Sequence, residues 1–285
     1  MNFKIITDSC CDLPAEMVSA LDLGVANLTV EMDGRAYAEG EMTPKALYDH
    51  LRNGKLPKTS AVNPEGWAGV IRPALQNGQD VLVLAFSSGL SATYQSAVIA
   101  AGELGEAFPD RKIRVIDTLC AAMGQGLLVY TAAQLRSEGQ SLDETAAWVE
   151  DHKLNLCHWV TVEDLMHLKR GGRISATTAV VGTMLSIKPI IRVDNEGRLE
   201  SFAKARGRKA AMNTLLDRMA ETFDPALSDT VFIGHGDCPA DAEQVAAEIK
   251  TRFGVKHVVV GYVGAVIGAH TGPGVLVVFH FGKHR

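Results

Sequence analysis

Residues 81–97 read VLVLAFSSGLSATYQSA, and the fold class turns on them. Val81 to Phe86 is an unbroken apolar run of strand length, as expected of a strand buried on both faces in a parallel sheet covered by helices. Ser87, Ser88 and Gly89 end the run, and a helical pattern follows from Ala92 to about Leu104. The same order recurs outward from this stretch. Phe3 to Ile6 reads as the first strand. Thr43 before Pro44 reads as an N-cap with proline at the first helical position, opening a helix that ends near Asn53 and Gly54. Pro64 opens another helix, Ile113 to Ile116 forms a strand, and Met123 to Leu135 and Asp143 to Asp151 are helices. Alternation of this kind predicts an α/β fold with a mainly parallel sheet.

The second half has a different rhythm. Ile187 to Val193 and Leu199 to Ala205 flank Asp194, Asn195, Glu196 and Gly197, a hairpin signal of antiparallel pairing. Between Ala240 and Arg252, the apolar residues Ala242, Val245, Ala246 and Ile249 recur at helical spacing and mark one buried face. The change of pattern predicts an N-terminal α/β domain over 1–157 and a smaller C-terminal α+β domain over 158–285.

Bulk properties narrow the function. A chain of 285 residues buries a substantial core, and its five cysteines, without C-x-x-C spacing, speak against a disulfide framework or zinc ribbon. A reducing cytoplasm is the expected location, since the amino terminus shows no secretory signal. No apolar run reaches the roughly 18–20 residues that span a bilayer. A net charge of −5 without a basic stripe, and sparse aromatic residues, argue against nucleic acid as a ligand.

Candidate chemistry lies in four places. Ser91, with Ala92 after it, sits where a strand gives way to a helix, so first-turn N–H groups and a rotatable hydroxyl could receive an anion. The bland reading is that Ser91 caps its own helix, and the two are compatible. Thr59 and Ser60, in KTSAVNP, are a second hydroxyl pair, expected on a loop beside a strand edge, where such pairs usually serve turns. His270 precedes Thr271-Gly272-Pro273-Gly274; a lone histidine is usually structural, but one facing a pocket could donate to a carboxylate and, when protonated, assist with charge. Lys169-Arg170-Gly171-Gly172-Arg173 is a basic glycine turn, either a helix C-cap or an exposed docking or phosphate-facing loop. There is no phosphate-loop, dinucleotide or nucleophile-elbow motif, and His280 with His284 lacks the setting of a metal site.

Taken together, IITDSCCDLP (Ile5 to Pro14), KTSAVNP, SSGLSATYQSA, LKRGGRIS, IKPII and HTGPG resemble, in order and over nearly the whole chain, the strings of the DegV family of bacterial fatty-acid-binding proteins. The resemblance implies two domains enclosing a long-chain fatty acid such as palmitate or oleate. Its carboxylate would be bound by Thr59 and Ser91, with His270 nearby. The resemblance also implies that the chain can serve as the non-catalytic binding subunit of a two-part kinase, presenting the carboxylate to an ATP-bearing fatty-acid kinase partner. Arg173 is then a candidate docking residue, and this chain itself needs no cofactor, metal or catalytic group. Ala61 and Val62 depart from the family's Gln-Pro, and Ala92 replaces its glycine. Alanine is acceptable at 92 in a first helical turn but alters the site if φ is positive. Burying about 14 methylenes at about 0.8 kcal/mol each gives a gross term of about 11 kcal/mol, so the chain supplies affinity and the head group supplies orientation. A self-contained phosphoryl-transfer enzyme using the Gly171 to Arg173 loop, and a scaffold with a vestigial pocket, are the competing readings.

Overall fold

The computed structural model describes residues 3–38, 40–174 and 186–285; Ser175, the last residue of LKRGGRIS, lies outside them. Four strands form an all-parallel sheet in the order Leu23–Ala26, Phe3–Asp8, Asp80–Ala85, Ile113–Asp117. Val81 to Ala85 have no exposure, which is why this segment carries no polar alternation. Both prolines act where expected. Helix Pro44–Arg52 is capped by the Thr43 hydroxyl accepting from Ala46 N–H at 3.2 Å, and helix Pro64–Gln76 by Asn63.

A six-stranded mixed sheet takes every described strand from Leu156 onward, in the order Leu199–Arg206, Ile187–Val193, Leu156–Thr161, Leu276–Phe281, Thr230–His235, His257–Tyr262. Its hairpin pairs Ile187–Val193 antiparallel with Leu199–Arg206 around the turn at 194–197. The last pair, Thr230–His235 with His257–Tyr262, is parallel. In helix Pro239–Phe253, Ala242, Val245, Ala246 and Ile249 are the buried face.

One small sheet was not expected. Arg35–Ala38, Thr29–Met32 and Lys58–Ser60 form a three-stranded antiparallel layer, so Thr59 and Ser60 lie in a strand and not a loop. The strand is only three residues long, too short to show a period of two in sequence.

Helix Ala122–Ser137 lies between the parallel and six-stranded sheets and touches strands of both. Its residues from Ala122 to Val129 are all buried. Gly124 and Gly126 are therefore packing glycines. A Cβ on Gly124 would overlap His158 Nε2 and approach Phe279 Cδ1 to 2.8 Å, and one on Gly126 would come within 2.5 Å of the Cys11 carbonyl. Gly124→Ala is expected to cost about 1–3 kcal/mol by overpacking, despite alanine's better helix propensity, and denaturant unfolding measures it.

Candidate functional site

The site begins where the parallel sheet changes direction. From Phe3–Asp8 the chain moves to the neighbour on one side, Leu23–Ala26, and later to Asp80–Ala85 on the other. In open α/β sheets, the carboxyl ends of strands at such a switch point frame a crevice. Asp8 stands there, fully buried. It accepts from Phe86 N–H at 2.7 Å and Cys10 N–H at 3.0 Å, which fixes the backbone at the crevice wall, and burial pushes its carboxyl up to about 7. Beyond Phe86 the turn closes as Leu90 and Ser91 N–H both donate to the Ser87 carbonyl at 3.1 Å.

Helix Thr93–Ala107 starts directly behind this turn. Ser91 Oγ lies 2.9 Å from Thr93 Oγ1 and accepts from Thr93 N–H at 3.2 Å, so the hydroxyl does serve its own helix. Fully buried Trp67 steadies the same turn by donating to the Thr93 carbonyl at 3.0 Å. Ala92 has φ −76° and ψ 2°, an ordinary conformation for alanine, and offers no side-chain cap.

Between these elements and the six-stranded sheet lies a cavity of about 220 Å³, lined mostly by apolar side chains. Thr59, Ser91, Ala92, Arg173 and His270 all face it. Thr59 Oγ1 is 2.8 Å from His270 Nε2, joining residues 211 positions apart. Ser60 does not join them: the next residue in a strand points the other way, and its side chain is exposed. Arg173 differs from the exposed arginine that was expected. It is half-buried, and its guanidinium donates to the carbonyls of Leu90 at 3.2 Å and Gly171 at 2.5 Å, tying its loop to the Ser91 turn.

His270 is neutral at physiological pH, because burial and the nearby Arg173 charge push its imidazole down to about 4. The charged side chain in the cavity lining is Arg173, and the imidazole beside it is neutral. Val277 and Phe279, two positions apart on strand Leu276–Phe281, face the cavity over about 7 Å, with Val275 just before the strand also in the lining. Val277 pairs with Val160, and Phe279 with His158. His158 accepts from Ala121 N–H at 3.2 Å, and burial keeps it uncharged, its pKa well below the ordinary range. The far wall is thus nonionic throughout.

Sequence reasoning missed this wall. Val160, Ile191, Val193, Leu199, Val277 and Phe279 look like any core residues until the sheets are assembled. The one readable signal was the run VLVVF at 275–279 after a glycine-rich turn.

The sequence profile of the family described as "Uncharacterised protein, DegV family" matches residues 2–283. A DegV domain-containing protein of Clostridium perfringens is 46% identical over 286 residues, covering 99% of this chain and 98% of its own. Among solved structures, a fatty-acid-binding DegV family protein from Thermus thermophilus is 34% identical, with a TM-score of 0.87 over 99% of this chain and 100% of that one. A stearic-acid-binding protein from Eubacterium ventriosum is 25% identical, with a TM-score of 0.88 over 99% and 98% of the two chains.

Proposed function

This chain belongs to the DegV family, and we propose that it binds a long-chain fatty acid in the cavity between its sheets and carries or presents it to a partner. The observation that supports the reading is the polarity of one cavity: Thr59 bonded to His270, and Arg173 tied to the Leu90 carbonyl beside Ser91, share a lining whose remaining side chains are uncharged. That is the distribution an amphiphile with an anionic head requires, since a buried carboxylate needs donors and its tail needs none. The fatty acids held by the Thermus and Eubacterium relatives support it.

In this reading Thr59 and Ser91 donate to the carboxylate, and Arg173 supplies the neutralising charge. His270 supports Thr59 from behind. Val275, Val277 and Phe279 lay out the tail's path. Carboxylate activation would fall to an ATP-bearing kinase subunit in the same cytoplasm, a division of labour with which the missing phosphate loop agrees.

Native mass spectrometry of gently purified protein tests the first step. A co-purifying mass of fatty-acid size, exchangeable for added palmitate, is expected; a ligand-free spectrum with no palmitate uptake would overturn the proposal. The isolated chain with ATP and palmitate should release no ADP. Arg173→Gln is expected to weaken palmitate binding about ten-fold, with the loss shrinking as salt rises, as titration calorimetry would show.

A further inference from the structure

The imidazole of His270 is held from two sides. Nε2 meets the Thr59 hydroxyl, and Nδ1 faces the α-carbon of Gly171. A Cβ built on Gly171 would overlap Nδ1 while lying 3.2 Å from Cε1 and 3.3 Å from Cγ. Near-equal distances to the two flanking ring atoms put that missing carbon on the line bisecting the ring angle at Nδ1. This line is the axis of the nitrogen's lone pair, or of its proton if one is attached. The hydrogen of Gly171 occupies the same direction, so a proton on Nδ1 would meet it head on, whereas a bare lone pair makes a weak C–H contact. Glycine is required here for space and not for backbone freedom, since φ −71° and ψ −11° suit any residue.

Neutral imidazole carries one proton, and which nitrogen holds it sets the direction of every bond it makes. With the proton on Nε2, His270 donates to Thr59 Oγ1, and the threonine's own hydrogen is left to point into the cavity. With the proton on Nδ1, Thr59 would donate to the ring instead and turn oxygen lone pairs toward the ligand, which repels a carboxylate. We infer that Gly171 is a positioning residue that holds His270 as its Nε2–H tautomer and thereby makes Thr59 a donor to an anionic head group. The inference rests on the carboxylate reading of the cavity. It adds a specificity element that touches no ligand atom.

The tautomer is read in ligand-free wild-type protein by long-range proton–nitrogen correlation on 15N-histidine-labelled material. A protonated Nε2 with a bare Nδ1 is expected for His270; an Nδ1–H form, or fast averaging of the two, overturns the assignment, and no variant is needed to see it. Gly171→Ala should then lose that signature and bind palmitate about 10- to 100-fold more weakly, close to Thr59→Ala, with the double variant no weaker than either single one. Wild-type affinity in Gly171→Ala, or additive losses in the double variant, would also overturn it. Failure of wild-type protein to bind palmitate would instead sink the reading of the cavity, leaving the measured tautomer as a separate result.

Discussion

Between pH 6.5 and pH 4 the unfolding free energy falls, and a His280→Gln chain is expected to lose about 3 kcal/mol less of it than the wild type. His280 is fully buried, its Nδ1 lies 2.9 Å from the Phe281 carbonyl, and burial pushes the ring from 6.5 down to about 4. In the folded chain it therefore stays neutral over this interval, while in the unfolded chain it takes up a proton. The unfolded state binds more protons, so this stability is complete above pH 6.5 and is lost as pH falls toward 4. The drop from 6.5 to about 4, at 1.36 kcal/mol per pH unit, amounts to about 3 kcal/mol. His270 acts in the same direction for the same reason, and so does buried His158. Asp8 opposes them: its carboxyl is raised from 3.8 to about 7, so its contribution is full below 3.8 and is lost as pH rises through 7. Urea unfolding of both chains at several pH values isolates the His280 share. Equal losses in the two would show that the ring titrates normally inside the fold.

Replacing Thr59 and Ser91 together with alanine is expected to weaken palmitate binding by at least about 100-fold while lowering the melting temperature of the ligand-free protein by only a few degrees, the share lost with the Ser91 cap and the Thr59–His270 bond. Each hydrogen bond to a charged group contributes about 1.5–3 kcal/mol, and a carboxylate buried without its donors keeps the full cost of its lost hydration. Both side chains are partly exposed to the cavity, so little core packing goes with them. Methyl palmitate is the discriminating control. Wild-type protein should prefer the free acid strongly, and the double variant should lose most of that preference because tail burial is untouched. Unchanged preference for the acid would place the head group elsewhere in the cavity.

The elements that sequence conveyed well are those with local causes. Thr43 with Pro44, Pro64 and the buried run at 81–85 carry their own caps, breakers and apolar periods. The hairpin around 194–197 announced itself through turn residues. The hydroxyls at 59 and 91 were legible as candidates, but local sequence could not pair them or tell Thr59 from Ser60. That distinction depends on which face of a three-residue strand looks inward, and the strand exists only because Thr29–Met32 is there to pair with it. Arg173 was misjudged for a related reason. A basic residue beside two glycines reads as solvent-facing, and only the approach of the Leu90 carbonyl draws it inward.

The long helix from Ala122 to Ser137 serves as a floor for one sheet and a ceiling for the other, with no solvent face over its first two turns. Neither half of the molecule owns it. A chain severed near residue 157 would leave those two turns with apolar surface on one side and water on the other, and the partner half would lose the layer that completes its interior. The helix therefore couples the two sheets, because displacing it would strip apolar cover from both. An opening between the sheets that reached this helix would leave its first two turns facing water on one side, an exposure that local fluctuations elsewhere avoid.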